Sequence, residues 1–219
     1  MKKFFTLILA TLMASSMMAQ MHGAMTFAGP SSINVLTQNT GNACDTVRFE
    51  MASTSAGNIT LPVMQGMAAI PSFTIENVAF SMGENHVISI AEQTFRSKVT
   101  VNGEEKNIEG SSISGSYNMA DNSLTLKAVF KYGSMPFDLT YEVKAYYVKP
   151  VASAITVNVG GTFIYGNDGV TYNVRKYIDG DAEKVDVEIP TYTLDNTVMG
   201  NLTLGTYTVK GLTYDEEKG

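Results

Sequence analysis

From Phe137 onward the chain alternates almost without interruption. Phe137, Leu139, Tyr141, Val143, Ala145 and Tyr147 share one parity, while Asp138, Thr140, Glu142 and Lys144 share the other. A period of two sends successive side chains to opposite faces, so Met135 to Val148 predicts a long antiparallel strand with one dry and one wet side. Other stretches obey the same rule. Val47, Phe49 and Met51 alternate with Thr46, Arg48 and Glu50, and Leu124, Leu126, Ala128 and Phe130 alternate with Thr125 and Lys127. No segment beyond the first twenty residues carries a capped 3.6-residue period. Short strands joined by tight turns predict an all-β chain, an antiparallel up-and-down β-barrel, since closure removes exposed edges.

The turns support this reading. Asn102-Gly103 between two β-rich runs is a strong hairpin signal, and Asp121-Asn122, Tyr132-Gly133 and Asn167-Asp168-Gly169 mark further turns. Phe73 and Ile75 have one parity, but Val78, Phe80 and Met82 have the other. A one-residue shift turns every side chain over, so a bulge is expected near Asn77. Met25-Thr26-Phe27 and Ile33-Asn34-Val35 are short apolar bursts in a polar region and read as weaker strands.

The domain plan follows from a repeat. Gly57-Asn58-Ile59-Thr60-Leu61 returns as Gly200-Asn201-Leu202-Thr203-Leu204, with Phe49-Glu50-Met51 and Tyr192-Thr193-Leu194 aligned ahead of the two copies. A period this long fits a domain rather than a solenoid unit. The expected plan is a leader over 1–19, a β-barrel domain over 20–149, a linker over 150–154, and a shortened second β domain over 155–219. Only fifteen residues follow Leu204, so the sequence is expected to be a fragment of a longer protein. The alternative is that residues 155–219 pack onto the first domain and complete one larger β structure.

The leader reads as a secretory signal. Lys2 and Lys3 precede an apolar run from Phe4 to Ala14, and Ser15 to Ala19 offers a cleavage site, after Ala19 or after Ser16. The run is shorter than the ~20 residues a membrane span needs. Of 15 Lys and Arg, two belong to the leader, leaving 13 against 21 Asp and Glu and a mature net charge near −8. That field disfavours nucleic acid and anionic membrane surfaces. Cys44, the only cysteine, has no disulfide partner and lies too far from the cut to carry a lipid, so the protein is expected to be exported, to periplasm or exterior, and not a lipoprotein. Cys44 is expected as a loop or half-buried thiol.

Catalytic chemistry is not visible. The two histidines are His22, near the N-terminus, and His86, expected at a strand end or barrel mouth; no His/Cys spacing suits zinc, and no nucleophile elbow occurs. No cofactor is implied. The repeated Gly-Asn-x-Thr-Leu could present Asn and Thr to a ligand at a barrel mouth. Alternatively Gly supplies a turn or bulge, Asn caps it, and Thr and Leu begin a strand.

The Gly-Asn-Ile-Thr-Leu-Pro segment (57–62), Tyr117-Asn118-Met119-Ala120-Asp121-Asn122-Ser123-Leu124, Met135-Pro136-Phe137, and Tyr141-Glu142-Val143-Lys144-Ala145-Tyr146-Tyr147, behind a leader ending Ala19-Gln20, resemble calycin-like domains of exported Bacteroidetes proteins. The resemblance covers roughly 24–149 and part of 155–219. It implies a barrel related to lipocalins and avidins, which often hold an apolar small molecule. The Gly-x-Trp signature of true lipocalins is absent, as the chain has no Trp. The expected function is an exported non-enzymatic barrel binding a small apolar ligand or an envelope protein or glycan. The alternative is a structural or interaction module of the cell envelope built of tandem β domains, with no small-molecule ligand. The expected inward-facing residues are Leu126, Phe130, Phe137, Leu139, Tyr141 and Val143; they fill a narrow barrel or line a wide one.

Overall fold

The computed structural model describes residues 23–65, 69–83, 86–159, 163–197 and 200–213. The expected leader, 1–19, and His22 lie outside them. The described residues are strands and turns, and the paired strands form antiparallel sheets. The chain divides into two compact units, Met1–Ala145 and Tyr146–Gly219.

In the first unit the strands are β1 (Met25–Val35), β2 (Gln38–Met51), β3 (Ala56–Leu61), β4 (Met64–Gln65), β5 (Ala69–Ile70), β6 (Phe73–Ala79), β7 (Ser81–Met82), β8 (Val87–Val101), β9 (Glu104–Asn118), β10 (Ser123–Tyr132) and the start of β11 (Leu139–Val159). Their order is β6-β3-β2-β1-β11-β10-β9-β8-β7, with β4 and β5 forming a separate small hairpin. This is a meander in which β1 and β11 are also neighbours. The inward face carries Phe27, Val47, Ile59, Leu61, Ile75, Ile108, Ile113 and Phe130, all nearly inaccessible. Phe130 meets Phe73 edge-on with ring centroids 5.4 Å apart, and Phe27 meets Tyr117 at 4.9 Å. Edge-on aromatic pairs add a modest gain to the area they bury.

The path has two ends, β6 and the β8–β7 side, and side chains join them. Gln93 Nε2 donates to Ala79 O at 2.8 Å while Gln93 Oε1 accepts the Ala79 N–H at 2.8 Å. Further along, Ser97 Oγ donates to Thr74 O at 2.7 Å. Gln93 can do this because β8 is irregular there, with register shifts against β9 on both sides of it.

The expected bulge is present. Between Gly57↔Val78 and Ile59↔Ile75 the β6 strand has one residue more than β3, and Asn77 takes a φ of 55°. Asn102 and Gly103 both have positive φ between the paired Val101 and Glu104, as the hairpin signal predicts. A second bulge sets Pro30, which has no N–H to lose, opposite Ala43-Cys44. Next to it Gly29 is obligatory: a Cβ there would collide with the Lys144 carbonyl and the Ala145 backbone.

Several expectations need correction. Residues 25–27 and 33–35, read as separate weak strands, belong to one strand, β1. Cys44 is exposed within β2, on the outward parity of Thr46 and Arg48. Phe137 lies ahead of β11 in the connection from β10 and is half-buried, so the alternation extends past the paired backbone. Parity also switches at the unit boundary, where Ala145 and Tyr146 are both buried and Tyr147 only half so.

The second unit holds the remainder of β11, β12 (Phe163–Asp179), β13 (Ala182–Ile189), β14 (Tyr192–Thr197), β15 (Gly200–Leu204) and β16 (Tyr207–Thr213). β12 pairs with β11 and β13, β13 pairs with β16, and β14–β15 form a hairpin. Residues 150–153, read as the start of a linker, are ladder residues of β11, with Pro150 opposite Asn173 and Ser153 opposite Val170, and Ala154 continues the strand. The expected turn at 167–169 is a bulge within β12, where Gly169 has φ 77°. Tyr146, Val170, Val185 and Leu194 are buried here, whereas Ile178, Leu202, Tyr207 and Leu212 are exposed.

The repeated pentapeptide occupies corresponding hairpins. In the first, Phe49 faces Ile59 and Met51 faces Gly57; in the second, Tyr192 faces Leu204 and Leu194 faces Leu202. At these pairs the second register is displaced by two residues, an even shift that preserves parity, and beyond Leu194 it shifts again so that Thr197 faces Gly200.

Candidate functional site

Three inward-facing polar side chains meet at one end of the first unit, on neighbouring strands. Ser31 is on β1 just past its bulge, Asp45 on β2 continues the inward parity of Phe49 and Val47, and Tyr141 is on β11. Asp45 is 7% exposed and Tyr141 1%. Ser31 Oγ donates to Asp45 Oδ2 at 2.5 Å, and the Tyr141 hydroxyl donates to the same oxygen at 3.2 Å. Asn42 Nδ2 donates to Asp45 Oδ1. Burial first, and then the Asp45 charge, raise the Tyr141 phenol well above the ordinary tyrosine range, so it remains a donor.

These residues line a cavity of about 240 Å³. Ile33, Val63 and Met64 form its apolar side, while Ser31, Thr40, Asn42, Asp45, Gln65 and Tyr141 supply polar atoms. Met64 is 3% exposed and Val63 51%, so the β3–β4 segment contributes both a wall and a rim. A small apolar space with a few converging polar groups is the usual form of a ligand site.

The six residues expected to face inward divide. Tyr141 lines the Asp45 cavity. Leu126 and Val143 are buried and border a wider surface cleft with Pro30 and Gly115. Phe130 is fully buried against Phe73 and Phe95. Leu139 is buried at the start of β11, and Phe137 precedes the strand.

Asp45 is hidden because residues 38–45 show no apolar alternation. The signal was its position two residues ahead of Val47, which makes it a carboxylate on a dry face. His86 stands exposed immediately before β8, at a φ of 61°. Among the described residues no group of three or more His, Cys, Asp or Glu could hold a metal ion, and no helix is long and apolar enough to cross a membrane.

The second unit has its own buried carboxylate, Asp186. Arg175 Nη2 lies 2.5 Å from it, the Tyr177 hydroxyl donates to it at 3.2 Å, and the Gly211 N–H donates at 2.8 Å. Gly211 falls in a register shift between β13 and β16, so Asp186 fastens a bulge. Arg175 also lies over the Tyr177 ring at 4.8 Å.

No protein-family model, no curated protein and no solved structure matches this chain.

Proposed function

We propose that the chain is an exported, non-enzymatic β-barrel protein of calycin-like type that holds a small ligand of largely apolar body at the Asp45 end of its first unit. The strand order supports the architecture. Eight strands follow one another in a meander, β1 and β11 are adjacent, and Gln93 and Ser97 bridge β8 to β6, so closure requires only that this bridged seam complete the ring. The observation that carries the function is the 240 Å³ cavity, apolar on one side and polar on the other.

The test is native mass spectrometry of the chain exported by its own leader and purified without detergent. A reproducible mass excess, lost on denaturation and absent from Val63→Trp, is the expected result. Bare protein from several growth conditions sinks the ligand reading.

A second reading, a structural or interaction module of the cell envelope, is favoured by one feature. Phe27, Phe73, Phe95, Tyr117 and Phe130 fill much of the interior, leaving little room for a large ligand. Under that reading the loops meet an envelope protein or glycan, and the mass spectrum shows no excess.

A further inference from the structure

The two buried carboxylates among the described residues differ in one respect. Asp186 has a guanidinium 2.5 Å away. Asp45 receives hydrogen bonds from a serine, an asparagine and a tyrosine, all neutral, and no Lys, Arg or His among the described residues comes within ion-pair distance of it. The described residues that line the cavity include no cationic side chain either. A buried charge without a counter-charge carries a desolvation penalty. Neutral donors offset part of that penalty, and a cation in the cavity would offset more.

Resting on the ligand-binding reading above, we propose that the Asp45 cavity takes a small organic ammonium ion. Its charged nitrogen sits toward Asp45, and its hydrocarbon lies along Ile33, Val63 and Met64. The volume suits about ten non-hydrogen atoms, scaling from an apolar cavity of ~150 Å³ that takes benzene. An inorganic divalent cation fits poorly, because it wants six or more oxygens and one side of this cavity is hydrocarbon. A carboxylate ligand, of the fatty-acid type, would face Asp45 with like charge. The exposed Val63 gives the hydrocarbon a rim by which to enter.

The experiment is isothermal titration calorimetry of the full chain at pH 7 with three matched series of about four to eight carbons: n-alkylamines, n-alkanols and n-alkanoates. Each is also titrated into Asp45→Asn, which keeps the shape and removes the charge. The expected result is that amines bind about tenfold more tightly than alcohols of equal length, in line with the greater strength of charge-assisted hydrogen bonds, and that alkanoates bind weakest. Asp45→Asn should bring amine and alcohol together. Equal binding of amine and alcohol to the wild-type chain overturns the ammonium assignment and leaves the small-ligand reading standing. Tightest binding of alkanoates does the same. Silence from all three series overturns both. The wild-type comparison decides the question without the variant, should Asp45→Asn fail to fold.

Discussion

Gln93 and Ala79 are paired as two backbone residues in a ladder would be, with one bond given and one received, each 2.8 Å long. A primary amide at the end of a side chain has the same donor and acceptor as a peptide unit, so it can stand in for a strand where the ladder is interrupted. Gln93→Leu keeps the bulk and removes both partners. Since the pair is exposed to water, the expected loss is about 1 kcal/mol, read from urea unfolding. Hydrogen exchange should quicken at the Ala79 amide while the Val101–Glu104 hairpin stays protected. An unchanged Ala79 rate would show that the pair does not hold the seam.

Asn58 and Asn201, the asparagines of the repeat, do the same work. Asn58 Oδ1 accepts the N–H of Asn77 at 3.0 Å, and Asn201 Oδ1 accepts that of Asn196 at 3.1 Å; both donors have φ near 55°. The repeated threonines also pair with threonines, Thr60 with Thr74 on the following strand at 2.9 Å and Thr203 with Thr193 on the preceding strand at 3.1 Å. The motif therefore caps an irregularity. Asn58→Ala and Asn201→Ala should each cost about 1 kcal/mol, with faster exchange at Asn77 and Asn196 respectively. Ligand titrations should not change.

Acid should weaken the second unit through Asp186. Burial alone would raise its carboxyl pKa, but the Gly211 N–H, the Arg175 guanidinium and the Tyr177 hydroxyl outweigh burial, and the net shift is downward from 3.8. A depressed folded-state value means the stabilisation is present above the ordinary carboxyl range and is lost as pH falls through the folded value. Tyrosine fluorescence and amide exchange followed from pH 6 downward should show β13 and β16 loosening. Asp186→Asn should flatten that dependence while lowering stability at neutral pH. A pH profile shared by wild type and variant would exclude Asp186 as the titrating group.

Leu36, at the tip between β1 and β2, is 70% exposed and holds a φ of 54°. A left-handed conformation costs a non-glycine residue roughly 1–2 kcal/mol, and little hydrocarbon is buried in return. Leu36→Gly should therefore raise stability by about 1 kcal/mol, part of the strain gain being offset by a more flexible unfolded chain. Thermal unfolding would read it directly. A destabilised variant would mean that Leu36 makes a contact its exposure conceals.

Local pattern made much of the fold legible. Alternation located β2, β10 and β11, the parity change located the Asn77 bulge, and Asn-Gly located the β8–β9 hairpin. What stayed hidden depends on pairing between distant segments. Residues 38–45 are mostly polar or small and become strand because β1 lies alongside them, which is a tertiary effect on a weak β propensity. The same cause carries β11 through Lys149-Pro150-Val151, where composition suggests a linker and β12 supplies a partner. Tyr141 was found as an inward residue; its partner Asp45 lies 96 positions away and could not be joined to it without the β1–β2 and β1–β11 neighbourhoods. Phe137 failed for the opposite reason, since its hydrophobic parity continues where the backbone has left the sheet.

The β6–β8 seam makes the first unit two cassettes of four long strands each, β1–β2–β3–β6 and β8–β9–β10–β11. They share a backbone ladder between β1 and β11, the short β7–β8 pairing, and a boundary of side-chain bonds. A nick in the chain between β7 and β8 would sever no ladder within either cassette. The two pieces could then be expressed apart and reassembled, with the β1–β11 ladder as template and the Asp45 cavity, built from β1, β2 and β11, as the reporter of correct joining.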